Sequence, residues 1–309
     1  SSDLPHSAYY AGDSAEKRYW PGYDAFAQTR DAIAYLRERP NDRPFLLMLS
    51  WGPPHSPYYT APDEFRARYS PEALRLPPNV PPETAARARQ ILAGYYAHCT
   101  ALDAALGELL AALRALGLEE DTLLVFTSDH GDMLGSQGHF NKQRPWDESV
   151  RVPFLLRHPA RLGRAPRRLN APLDAPDLLP TLLGLCGLPI PAGVEGLDFS
   201  AHILGGPDPS DGAALLACYH PFGQYNRPKH GGREYRGLRT ERHTYVRALD
   251  GPWLLYDNTT DPFQMHNLAA APEHAALRRD LDDRLRERLR TLGDEFRPGM
   301  EYIRRWNYV

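Results

Sequence analysis

The chain has 309 residues, with 36 Lys and Arg against 39 Asp and Glu for a formal net charge of -3. That length suits one large domain or a large and a small one, and so balanced a charge gives no bulk attraction for nucleic acid or an anionic membrane. No run approaches the roughly 18 apolar residues of a membrane span. Three scattered cysteines, Cys99, Cys186 and Cys218, lie outside any C-x-x-C pair and point to neither a disulfide framework nor a thiolate zinc site. Each is expected to be a small buried apolar residue. The polar start Ser1-Ser2-Asp3 has no signal-peptide character and no Met, so the true N-terminus is expected elsewhere.

A helix is predicted over residues 24–39, stopping before Pro40, then a strand over 45–50. Between this strand and the next, Ile91, Tyr95, Leu102, Leu106, Leu109 and Leu113 recur at helical steps and form one apolar stripe, with Gly117 as the stop. Strands follow at 123–128 and 152–157, and PDLLPTLLGLCG reads as a helix over 177–186 with Asp177 near its N-terminus. After the Gly/Pro-rich GGPDPSDG at 205–212 come a strand at 215–219, strand-like GLRTERHTYVRAL and WLLYD, and a charged helix over 272–292. Apolar runs alternating with helices predict an α/β fold, a mostly parallel sheet flanked by helices. Residues 1–212 belong to that domain, and 213–309 complete the sheet and add a small sheet-plus-helix subdomain.

Two predicted strands run into polar loops. FLLMLSWGPPHSP delivers His55, and LLVFTSDHGDMLGSQGHFNK delivers Asp129, His130 and Lys142. Ligands collect outside the carboxyl ends of strands in open α/β sheets, so the four residues are expected in one cleft. A carboxylate and an imidazole fixed at a strand end suit a metal ion. The plainer alternative is a turn in which Asp129 caps backbone amides and Gly131 supplies a positive φ. His139 and Gln137 either line the site or are exposed loop polarity. YHPFGQYNRPKHGG, with His220, Asn226, Arg227, Lys229 and His230, is a substrate-recognition segment or a solvated basic loop. The arginines of RRDLDDRLRERLR read as a solvated helix face.

The segment TSDHGDMLGSQGHFNKQRPWDESVRVPFLLRHP resembles the sulfatases of the alkaline phosphatase superfamily, in which Ser-Asp-His-Gly, a glycine-punctuated loop and a lysine succeed one another after a strand. WGPPHSPY, and YRGLRTERHTYVRALDGPWLLYDNTTDPFQMHNLA near the C-terminus, extend the resemblance over nearly the whole chain. It implies an alkaline phosphatase-like fold and hydrolysis of a sulfate ester on a sulfated small molecule or carbohydrate. Asp129 and His130 would ligate a divalent cation, Lys142 would bind a sulfate oxygen, and His55 would stand near the leaving-group oxygen. Calcium is the expected ion. Many sulfatases have Asn where this chain has His130, a softer ligand, so manganese and zinc stay open.

Sulfatases of this pattern use a formylglycine matured in a Cys/Ser-x-Pro/Ala-x-Arg motif and draw further metal carboxylates from an Asp pair after the first strand. Neither motif occurs in this sequence: Cys99 begins CTALD, which ends in Asp103 where Arg is required. Because all the matched parts are downstream ones, the chain is expected to be a truncated C-terminal portion that is inactive alone. A phosphonate or phosphate monoester hydrolase of the same superfamily is the alternative enzyme. A non-catalytic anion- or partner-binding module is the alternative from another class.

Overall fold

A computed structural model describes residues 8–222 and 231–308. They divide into two compact units. The first holds the described residues up to Leu124 together with Leu156–Gly163, and the second holds Val125–Leu155 and the described residues from Arg164 onward.

The first unit opens with the antiparallel pair β1 (Ala8–Tyr9) and β2 (Arg18–Tyr19). Helix α1 (Asp24–Glu38) carries Asp24 in its first turn, where a carboxylate favours the positive end of the helix dipole. The long α2 (Pro82–Ala115) starts on a proline, whose missing N–H costs nothing in a first turn, and Gly117 follows it at φ +69°. Of the predicted stripe, Leu102, Leu109 and Leu113 are buried, but Ile91, Tyr95 and Leu106 are only half-buried. The fully buried face is largely alanine: Ala88, Ala93, Ala97, Ala101, Ala105 and Ala112. Small side chains let α1, which buries Ala25, Ala27 and Ala32, approach closely. Cys99 lies on the exposed side of α2, and Cys186 is also exposed, so only Cys218 meets the expectation of burial.

The predicted strand over 45–50 keeps its two-residue period without becoming a strand. Phe45, Leu47 and Leu49 pack with Leu36, Leu109 and Leu113, whereas Leu46 and Met48 are 88% and 86% exposed. No ladder partner pairs this segment among the described residues. Farther on, β3 (Leu124–Thr127) and β4 (Phe154–Arg157) form where predicted and pair with each other.

In the second unit α3 (Leu178–Cys186) follows a capping box. Asp177 accepts the Asp174 N–H at 2.8 Å while Asp174 accepts that of Ala175 at 2.8 Å. The predicted strand at 215–219 forms as β5 (Ala213–Cys218), and its partner is the antiparallel β6 (Tyr235–Thr240). The sheet continues through β7 (His243–Ala248) and β8 (Gly251–Asp257) in the order β5-β6-β7-β8, all antiparallel. β6, β7 and β8 pair this way because the chain reverses at the short turns 241–242 and 249–250.

One face of the sheet, with Leu238, Tyr245 and Leu255, packs on Leu281, Leu285 and Leu289 of α4 (Ala275–Leu292). Those three recur every fourth residue, which makes the apolar stripe of an otherwise charged helix. Its arginines are not only a solvated face: Arg288 donates to Asp211 and to the Ala213 carbonyl, both at 3.1 Å, and fastens the start of β5. The opposite face, with Val246, Leu254 and Tyr256, packs on Met133 and Trp146. The polar loop that follows β3 is thus anchored by its own apolar residues to a four-stranded sheet. Arg236, fully buried, donates to Asp294 at 2.5 Å with the Tyr219 ring 3.8 Å from its guanidinium. Burial opposes ionisation of Asp294, but the hydrogen bonds from Arg236, the Phe296 N–H and Tyr302, with the Arg236 charge, together outweigh it and keep the carboxyl below its usual range. The last helix, α5 (Gly299–Arg305), starts against the Tyr219 carbonyl and the His220 side chain, which leave no room for a Cβ on Gly299. No helix among the described residues is long and apolar enough to cross a membrane.

Candidate active site

His55 belongs to the first unit and sits at the tip of an arch between Trp51 and Thr60. Its N–H closes a turn on the Gly52 carbonyl at 3.2 Å, and its side chain is exposed. Nδ1–H donates to the Ser56 carbonyl at 2.8 Å, so Nε2 is the nitrogen that can exchange a proton with a ligand. Both feet of the arch are fastened to helices. Trp51 Nε1–H donates to Thr29 Oγ1 of α1 at 3.1 Å. At the other foot the Tyr58 carbonyl comes so near α2 that a Cβ on Gly94 would lie 2.2 Å from it.

Asp129, His130 and Lys142 belong to the second unit. Asp129 stands one residue beyond the end of β3, after Ser128, with an 83% exposed side chain; its Oδ1 accepts the His130 N–H at 2.9 Å and the Ser128 hydroxyl at 3.3 Å. The backbone-capping expected of a plain turn is therefore present. Gly131 serves differently from that reading: it is not among the positive-φ glycines, and a Cβ there would lie 2.0 Å from the Glu148 carbonyl oxygen. It permits a close backbone approach, sealed by the Gly131 N–H to the Ser149 carbonyl at 2.8 Å.

His130 Nδ1–H donates to the Gly131 carbonyl at 2.8 Å, so the ring's lone pair is on Nε2, 3.4 Å from Asp129 Oδ2. One carboxylate oxygen and one imidazole nitrogen at that separation can share a cation. Among the described residues no group of three or more His, Cys, Asp or Glu is placed to hold a metal ion.

The loop from Asp132 to Gln143 holds four non-glycine residues in the left-handed region: Leu134, Gln137, Asn141 and Gln143, at φ 47°, 55°, 63° and 68°. Such conformations persist where surrounding bonds over-determine them. Asp132 Oδ1 accepts from the Leu134 and Asn141 amides at 3.1 and 2.9 Å. Gln143 grips Phe222 on both backbone groups, donating to its carbonyl at 3.4 Å and accepting from its N–H at 3.0 Å. Lys142, half-buried, stands between the two constrained residues.

Gln137 is not simply exposed loop polarity. Its amide donates to the Phe263 and Gln264 carbonyls at 3.1 and 2.9 Å, and the buried Gln264 accepts the Asp147 N–H at 3.0 Å. Sequence reading missed Asp132, Gln143 and Gln264. An Asp two residues before a constrained turn is a signal for the first; the other two act through partners about 80 and 120 residues away, which no local pattern reveals. Asn226, Arg227, Lys229 and His230 lie outside the described residues. His220 is described, 3.8 Å from Glu234.

His139 packs against Trp146, ring centroids 5.5 Å apart. Burial, helped by the Arg144 charge, lowers its pKa to about 4. An unfolded histidine titrates near pH 6.5, so between about pH 6.5 and 4 the unfolded chain binds a proton that the native one does not. This contribution to stability is complete above about pH 6.5 and is lost as the pH falls toward 4. His139→Gln is expected to flatten that part of the stability profile, read by denaturant unfolding at pH 7 and pH 4.5. An unchanged pH dependence would exclude a neutral buried His139.

The family model described as Sulfatase matches residues 3–188, and that described as N-sulphoglucosamine sulphohydrolase, C-terminal, matches 135–291. The chain belongs to the sulfatase family. An ulvan-active sulfatase of Formosa agariphila is 44% identical over 100% of this chain and 60% of its own length. A solved structure from the glycosaminoglycan metabolism of Bacteroides thetaiotaomicron is similar with a TM-score of 0.83 and 28% identity, over 94% of this chain and 64% of that one. A phosphonate monoester hydrolase of Agrobacterium radiobacter is similar with a TM-score of 0.71 and 26% identity, over 85% and 60%. The fold is the alkaline phosphatase-like α/β fold of these sulfatases, with a small C-terminal sheet subdomain. This sulfatase-family chain thus spans about 60% of the ulvan-active relative's length. Sulfatases in general work with a formylglycine and a divalent cation.

Proposed function

We propose that this chain is the larger, C-terminal share of a sulfuric ester hydrolase acting on a sulfated carbohydrate. The observation that carries the reading is the Asp129-to-Lys142 loop, whose constrained backbone fixes an exposed carboxylate, an imidazole and a lysine on one scaffold. The 44% identity to a relative named for activity on ulvan supports a polysaccharide substrate. Displacement at a sulfuryl centre leaves the protein mainly to position reactants and to stabilise negative oxygens. Lys142 supplies a positive charge to a sulfate oxygen, and Nε2 of His55 protonates the departing alkoxide. Asp129 and His130 would hold the divalent cation, calcium by the preference of a carboxylate-bearing site; bound there, it withdraws charge from the sulfate oxygens.

The similarity to a phosphonate monoester hydrolase favours a second reading, hydrolysis of a phosphonate or phosphate monoester at the same site. A protein joining this chain to a verified formylglycine segment is expected to turn over a sulfate ester with kcat/KM at least about 10-fold above the matching phosphonate and phosphate esters. The reverse ranking selects the second reading. No turnover of any of them selects a non-catalytic binding module.

A further inference from the structure

Helix α2 carries one polar residue that its apolar face does not explain. His98 is 1% exposed in an alanine-lined core, four residues after Gly94 and so on the same face. A buried imidazole must have its nitrogens satisfied; one partner, Tyr23, precedes α1 and the other, Thr60, belongs to the arch that carries His55. The Tyr23 hydroxyl lies 2.7 Å from Nδ1, and Thr60 Oγ1 lies 3.4 Å from Nε2 and donates to the Pro57 carbonyl at 2.9 Å. Thr60 spends its one hydroxyl hydrogen on the Pro57 carbonyl, so its Oγ1 accepts from Nε2–H of His98, and Nδ1 of the neutral ring accepts from the Tyr23 hydroxyl. Donors then run in one direction, from Tyr23 through His98 and Thr60 to a carbonyl two residues from His55.

We propose that His98 is a positioning residue for His55: through Nε2–H and Thr60 it fixes the Pro57 carbonyl, and with Gly94 beneath Tyr58 it seats one foot of the arch on α2. This rests on the reading of His55 as the group that protonates the leaving oxygen. A misplacement of about 1 Å costs up to 10²-fold in rate, and a core histidine that merely filled space would not act through one loop residue.

The test uses the protein that joins this chain to a formylglycine segment. His98→Phe keeps the ring and loses both bonds. It is expected to lower kcat on an unactivated sulfate ester by about 10-fold and to spare an activated aryl sulfate and KM. His98→Gln retains an amide donor near the place of Nε2 and is expected to recover most of that loss. In the double variant with His55→Ala, His98→Phe is expected to add nothing further. Additive losses, or equal losses on both esters, overturn the proposal. If His98→Phe does not fold, Tyr23→Phe, which removes only the donor to Nδ1, takes its place in the same cycle, and the same outcomes support or overturn the proposal.

A measurement independent of turnover separates this proposal from the sulfatase reading. The His55 ring proton and carbon resonances in the same protein are expected to shift in His98→Phe and to return in His98→Gln. His55 signals unmoved in His98→Phe overturn the positioning role whatever the enzyme hydrolyses. Shifted signals without sulfate ester turnover retain it and overturn the sulfatase reading alone.

Discussion

Lys142→Ala, in a protein that unites this chain with a formylglycine segment, is expected to lower kcat for sulfate esters by about 10²-fold or more, the usual loss of one preorganised transition-state donor. The lysine is preorganised from both sides. Asn141 and Gln143 hold left-handed backbone, Asp132 fixes the Asn141 amide, and Gln143 is clamped on Phe222. Because the charge that Lys142 meets is on the sulfate, the loss should be alike for activated and unactivated esters. His55→Ala, by contrast, should hurt poor leaving groups most, since an aryl oxide needs little protonation. Lys142→Arg is expected to restore little, because a planar fork does not replace a compact ammonium in a fixed loop. Steady-state kinetics on one ester of each kind decide it. A loss confined to KM would make Lys142 a uniform binding contact, and a change under about 3-fold would remove it from the site.

What the sequence made legible follows from how local each cause is. Helices α1 and α2 begin and end at prolines, an acidic first turn and a glycine, all local signals. The stripe on α2 holds at Leu102, Leu109 and Leu113, but the rest of the buried face is decided by alanines that fit a neighbouring helix, and hydrophobicity ranks alanine low. Residues 45–49 have the composition and period of a strand, yet a strand also needs a ladder partner, and none pairs with them among the described residues. The loop after β3 was recognisable by residue types, but its rigidity comes from Gln143, Gln137 and Gln264 bonding across 79 to 127 positions. His98 shows the same limit from the other side. Its sequence signal is only a histidine on an apolar helical face, and its partners Tyr23 and Thr60 lie 75 and 38 positions away.

The 309-residue chain by itself is expected to show no sulfate ester turnover and to bind a divalent cation only weakly. Calcium takes six to eight oxygen ligands, and the described residues bring Asp129 and His130 together without a third carboxylate, cysteine or histidine beside them. Two donors and one negative charge compete poorly with a full hydration shell. The nucleophile is a separate and more severe lack. Cys99 begins CTALD, whose final Asp103 stands where a maturation motif needs arginine, and its side of α2 is a helix surface, not a strand-end loop. Without an attacking group, Lys142 and His55 have no reaction to assist. Calcium titration by calorimetry, beside an aryl sulfate assay with excess metal and an Asp129→Ala control, tests both halves. Turnover that accompanies the purified chain and vanishes in the control would show that a residue within these 309 takes the nucleophile's place, and micromolar calcium binding would show that the shell is completed from within the chain.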